Sequence, residues 1–154
     1  FAGFPFTLSL SGASDPSTAD TTAGFTYAFD CGSGYGAFGS TSSANCPTTD
    51  VGTRSVGGQV RDKDGGVTEY RGSVSVVVTY DSLCSLVRSY AAYPTDADTL
   101  CAMLDDARTA ENPNAKANIL KAFRNAVDGR TGTQSGKSFT AQQGAELKLL
   151  STRL

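Results

Sequence analysis

The residues in this chain whose spacing could carry reactive or ligating chemistry are four cysteines, some of its fifteen carboxylates and one Lys-Ser pair among glycines; histidine, the commonest general base, is absent. The cysteines occur as two local pairs, Cys31 with Cys46 and Cys84 with Cys101. Four cysteines permit three connectivities. The local one gives each half of the chain its own bridge, and closing a loop of about 15 residues contributes roughly 3 kcal/mol in the chain-entropy model. A metal site is the rival, but it would have to form without C-x-x-C spacing and without histidine. Disulfides predict an oxidising compartment, secreted, cell-surface or periplasmic, and leave no thiol nucleophile.

The stretch Gly132-Thr133-Gln134-Ser135-Gly136-Lys137-Ser138 has three residues between its glycines, where a phosphate-binding loop needs four, and it follows a helical pattern rather than a strand. An interhelical turn is expected. Asp62-Lys63-Asp64-Gly65 carries the start of a calcium-loop pattern without its later ligands or its distant glutamate, and a hairpin turn in which Asp-Gly supplies the backbone angles is expected instead. No cofactor is expected, although calcium stays a candidate at Asp62 and Asp64, with Asp15 and Asp30 as further carboxylates. With no catalytic residue to assign, the expectation is a protein that is not an enzyme.

Four aromatics fall outside any strand or helix period: Phe1 and Phe4 before the first strand, and Tyr35 and Phe38 inside a glycine- and serine-rich loop. They either fold back over the open end of a β core or form a contact patch for a partner chain or a polysaccharide, since rigid aromatics bind at small entropic cost. Thirteen basic and fifteen acidic residues leave a net charge of −2, and no run of Lys or Arg makes a track for nucleic acid. No apolar run approaches the roughly 20 residues of a membrane span, so no membrane insertion is expected. The opening Phe1-Ala2-Gly3-Phe4-Pro5 lacks the basic region of a secretory signal, so an exported form would have its signal upstream or already removed.

Composition changes along the chain. Residues 1–80 are rich in Gly, Ser, Thr and β-branched types, and residues 81–154 in Ala, Leu and charged types, which predicts a β domain followed by an α domain with no Gly/Ser linker between them. In the first, Phe6, Leu8 and Leu10 alternate, as do Phe25, Tyr27 and Phe29, each set expected to face inward. Gly12 to Gly24 is expected to be a loop. A weaker strand is expected over 54–60, and after the turn at Asp62–Gly66 strands over 67–70 and 72–79, the last with Val74, Val76 and Val78 on one face. Four to six short strands separated by turns describe an Ig-like antiparallel sandwich.

In the second domain, Leu83, Leu86, Val87 and Tyr90 share one helical stripe capped at Asp81 or Ser82 and ended by Pro94. Ala97, Leu100, Cys101, Leu104 and Ala107 share another, capped at Thr95 or Asp96 and stopped at Asn112-Pro113-Asn114. Cys84 and Cys101 are about equally far from the turn near Ala92-Tyr93, so an antiparallel hairpin would bring them together. A third helix is expected over 115–128 with Ile119, Ala122, Phe123, Ala126 and Val127 inward. A last one, opened by the capping box Thr140-Ala141-Gln142-Gln143, carries Ala145, Leu147, Leu149 and Leu150. Three or four such helices make a small bundle, so the fold class is α+β.

The run Tyr27-Ala28-Phe29-Asp30-Cys31-Gly32, preceded by Phe6–Ser11 and Asp15 and followed by Val60-Arg61-Asp62-Lys63-Asp64-Gly65-Gly66 and a Val-x-Val-x-Val, resembles a polycystic-kidney-disease-type (PKD) domain of a bacterial extracellular protein over about residues 4–79. Tyr27 stands where that family has Trp, and Gly32-Ser33-Gly34 stands where it has a Gly-Asp-Gly turn. Such domains open with a further strand, so the resemblance implies one supplied from upstream or from elsewhere. Ala115 to Leu154, with Ala122–Val127 and Ser135-Gly136-Lys137-Ser138, resembles the small FIVAR-like helical modules of secreted multidomain proteins. Together these imply a surface, adhesion or assembly module with a protein partner or self-association. The alternatives are a carbohydrate- or protein-binding appendage of a secreted hydrolase, and a filament subunit completed by a neighbour's strand.

Overall fold

A computed structural model describes residues 1–154. The elements are β1 (Phe6–Ser9), α1 (Thr18–Ala23), β2 (Thr26–Asp30), β3 (Ser43–Cys46), β4 (Gly52–Arg61), β5 (Val67–Val76), α2 (Tyr80–Tyr90), α3 (Pro94–Thr109), α4 (Pro113–Gly129) and α5 (Ala141–Ser151). The protein is thus mixed α+β, with five helices and two small antiparallel sheets. It divides into a β unit, Gly3–Val76, and a helical unit in which Val77–Leu154 is joined by Phe1–Ala2 through the bond from the Ala2 N–H to the Val77 carbonyl.

In the β unit one sheet is β1 paired with β3, and the other is β2-β4-β5 in that order. The long hairpin β4–β5 is one uninterrupted ten-pair ladder from Gly52↔Val76 to Arg61↔Val67, so the segments expected at 67–70 and 72–79 are a single strand that stops at Val76. Asp62 closes its turn: the carboxylate accepts the backbone N–H of Asp64 at 2.9 Å and of Gly66 at 2.8 Å, while Gly65 adopts a φ of 91°. Two elements lie where loop was expected. Ser17 accepts the Asp20 N–H and caps α1 inside residues 12–24. The polar strand β3 sits at the end of the glycine-rich excursion, its place set by pairing with β1 rather than by any apolar period of its own.

Gly57 and Gly58 are the close-approach positions of the central strand. A Cβ at Gly58 would lie 3.0–3.2 Å from the side chain of Leu10, which brings the first sheet onto this face. A Cβ at Gly57 would lie 2.1 Å from the Tyr35 hydroxyl on the opposite face. Both faces of the three-stranded sheet are therefore covered at one point. The burial of β2 follows: Ala28 and Asp30 are buried beneath the loop that carries Tyr35, whereas Phe25, Tyr27 and Phe29, expected to be the core face, are only half-buried.

In the helical unit Thr79 and Ser82 form a reciprocal capping box, so α2 begins two or three residues earlier than a cap at Asp81 or Ser82 would allow. Pro94 does not end α2, which stops at Tyr90; it opens α3 at the first helical position, where a missing N–H costs nothing, and neither Thr95 nor Asp96 is the cap. Asn112 likewise caps α4, with its side chain accepting the Asn114 and Ala115 N–H groups, and Pro113 follows it. The core contains Leu83, Leu86 and Val87 of α2, Leu100 and Leu104 of α3, Phe123 and Val127 of α4, and Leu147 and Leu150 of α5. Full burial of a side chain of this type stabilises by about 1.5–3 kcal/mol. Leu120 is buried in α4 where Ala122 was expected to be. In α5 Gly144 and Ser151 are buried while Ala145 and Leu149 are exposed.

Gly144 gives a prediction whose sign opposes helix propensity. A Cβ there would meet Thr131 at 2.3 Å from Oγ1 and 3.1 Å from Cβ, and Thr131 is held by its own bond to the Val127 carbonyl. Alanine is the better helix former by about 1 kcal/mol, but overpacking costs about 1–3 kcal/mol. Gly144→Ala should lower the urea midpoint of the helical signal; a raised midpoint would mean that α5 shifts freely.

Candidate functional site

The two disulfides are Cys31–Cys46, with Cα atoms 5.3 Å apart, and Cys84–Cys101, with Cα atoms 5.1 Å apart; no cysteine is free. The first joins the residue after β2 to the last residue of β3, and so ties one sheet to the other. The second ties α2 to α3.

The glycine turn after β2 is held by Asp30. Its Oδ1 accepts the N–H of Gly32 at 2.7 Å and of Gly34 at 2.8 Å, and these two amides hold the carboxyl below the usual carboxylate range. The chain then runs back along β2, with Asp30 bridging Tyr35 and Tyr27 bridging Gly39. Tyr35 and Phe38 therefore share one face of the three-stranded sheet, and both are half-buried. The Tyr35 hydroxyl donates to Glu69 at 2.8 Å, and burial, then Glu69, raises its pKa. The Arg61 guanidinium lies 4.1 Å from the centre of the Phe38 ring. Phe4 stands elsewhere in the β unit, its carbonyl accepting the Thr48 hydroxyl at 2.8 Å, and Phe1, in the helical unit, is 61% exposed.

The carboxylates named as calcium candidates do not converge: no group of three metal-ligating side chains forms. Asp62 closes its turn, Asp64 pairs with Lys63 at 2.6 Å, and Asp15 accepts the Ser17 N–H at 2.7 Å. Lys63 also stands 3.0 Å from Asp20 Oδ1, within ion-pair reach but off the line of a hydrogen bond, and it is the main reason the Asp20 carboxyl is held low. In the Gly132–Ser138 turn the Lys137 ammonium donates to the Gly129 carbonyl at 2.6 Å and so caps the end of α4.

Two features were not anticipated from the sequence. One is a polar knot in the helical unit. The Asp96 carboxylate accepts the Ser138 hydroxyl and, at 2.7 Å, Arg130 Nε, while the Ser138 carbonyl accepts the Ala92 N–H. Ser138, followed by Arg130, holds the Asp96 carboxyl below its usual range. The other is a groove in the β unit: a cleft of about 600 Å³ beside an apolar one of about 180 Å³, with Ser9, Leu10 and Tyr70 lining both. Tyr70, in a strand pattern with no feature to set it apart, is 57% exposed.

A depressed carboxyl pKa means stability that is present above the unfolded value of about 3.9 and lost as pH falls through the folded one. Asp96→Asn should therefore lower the urea midpoint of the helical signal at about pH 7 and narrow its loss between about pH 5 and pH 2; an unchanged acid limb would show that Asp96 carries none of it. Replacing Cys84 and Cys101 together by alanine should cost the helical signal about 3 kcal/mol and leave Cys31–Cys46 oxidised by peptide mapping. The chain matches no family model, no curated protein and no solved structure, so what it does must be argued from its own residues.

Proposed function

We propose that this chain is a non-enzymatic module of an extracellular protein, acting by contact at a cell surface, in adhesion or in assembly. The observation that carries the proposal is that each unit is closed by its own disulfide, an arrangement suited to an oxidising compartment. No helix is long and apolar enough to cross a membrane. The β unit, with Leu10 of one sheet over Gly58 of the other and β3 tied covalently to β2, is read as a PKD-type Ig-like sandwich; α2–α5 are read as a FIVAR-like small bundle. The sulfurs are bonded and the chain has no histidine, while Asp15, Asp30 and Asp62 accept the amides of their own turns. These groups support a role in binding rather than in bond making. Tyr35, Phe38, Phe4 and Phe1 remain candidate contacts, Phe1 the most open of them.

Sedimentation of the purified chain over a wide concentration range, with co-sedimentation on insoluble polysaccharides, tests the proposal. Self-association, or retention on a glycan, is the expected result, and retention would favour the reading as a carbohydrate-binding appendage. A monomer that no glycan retains, with free thiols by mass spectrometry of the native protein, would overturn it.

A further inference from the structure

We infer that the groove between β1 and β5 is a docking site for one extended polypeptide segment of a partner, alternating apolar and polar residues and carrying a basic residue at one end. The inference rests on the binding-module proposal and names its site. Its first support is the free edge of β1. The Leu10 N–H donates to the Ser42 carbonyl at 2.9 Å, in the register that pairs Leu8 with Ala44 and Phe6 with Cys46. Hydrogen bonding alternates along an antiparallel ladder, so the backbone groups of Thr7 and Ser9 point to the opposite edge, where no strand lies.

The width of the groove sets the occupant. Phe29, Gly58 and Tyr70 form one row across β2, β4 and β5, on the face that Leu10 covers. Since Leu10, next after β1, stands over the middle strand, one more strand added beside β1 at the usual spacing of about 4.8 Å would lie above β5, where Tyr70 is exposed. A strand paired to Thr7 and Ser9 would lie there with every second side chain directed at Tyr70 and at the space left by Gly72, which lines the apolar part of the groove. A second copy joining through its own β1 would bring its three-stranded sheet beneath that strand, into the volume β5 occupies. One segment fits; a second folded edge does not.

Charge sets the end. Asp15 and Asp62 line the wider part of the groove. Both carboxylates bond to backbone amides of their own turns and neither has a salt-bridge partner, so a Lys or Arg arriving with the segment would supply the missing cation.

The probe is a capped peptide Lys-Val-Thr-Val-Thr-Val-Thr, with a scrambled peptide that breaks the alternation and a Glu-for-Lys peptide as controls, tested on the intact chain by hydrogen exchange and titration. The alternating peptide should slow exchange of the Thr7 and Ser9 amides and bind more tightly than either control. Ser9→Pro removes one edge donor and spares the β3 ladder, and Tyr70→Ser removes an exposed ring; each should weaken binding by about tenfold or more. Exchange at Thr7 and Ser9 unmoved by the peptide, or equal binding of the scrambled control, would overturn the inference, and the module proposal would stand if the chain still self-associates or is held by a glycan. Self-association abolished by Ser9→Pro, without peptide binding, would assign the groove to a second copy and overturn the occupant named here.

Discussion

The close approach at Gly57 and Gly58 is the constraint on which the β unit depends. Successive residues of a strand point to opposite faces, so two adjacent glycines open both sides of the sheet at one level. Leu10 enters on one side and the Tyr35 hydroxyl on the other. Leu10 brings the small sheet down over the middle strand, which decides what β5 is left facing. Tyr35 pins the glycine-rich loop, which buries Ala28 and Asp30 and gives that loop a fixed course despite its composition. Larger side chains at these two positions would push away both coverings at once.

The helical unit is organised differently. Its stability comes from a leucine-rich interior, and its connections are fixed by polar contacts at the ends of helices. Asp96, in the first turn of α3, holds Ser138 and Arg130, which flank the turn before α5; a carboxylate there also suits the positive end of the helix dipole. The Arg130 carbonyl in turn accepts the Ser138 and Phe139 N–H groups, so the glycine-rich turn is closed by backbone bonds as well as by Lys137. Disulfide, interior and knot act on the same set of helices, and α5 fits among them because Gly144 yields room to Thr131.

What could be read from the residues was the local part. Period-two alternation located β1, β2 and β5, capping chemistry located α5, and the Asp62 turn located the hairpin. What could not be read depended on contacts distant in sequence. β3 is polar and exists through its pairing with β1; the aromatic face of β2 does turn toward the first sheet, Phe29 sharing a row with Gly58 under Leu10, but it is only half-buried, and nothing local shows that a loop will bury the other face more fully. The prolines misled for a definite reason: Pro94 and Pro113 are as compatible with a helix start as with an end, and only the caps before them decide. In α5 the buried stripe runs through Gly144 and Ser151, residues that no hydrophobicity pattern marks. The groove stayed hidden because it is defined by which neighbour is missing beside β1, a matter of strand order and not of composition.

The Cys31–Cys46 and Cys84–Cys101 bonds also govern how the molecule would respond to tension. Each short-circuits the chain it spans, so the glycine-rich loop after β2 and the α2–α3 connection are removed from the load path when the two ends are drawn apart. Only the remaining segments could pay out, and a tether built from such units would stay short under pull while keeping its loops folded against their sheet and helices.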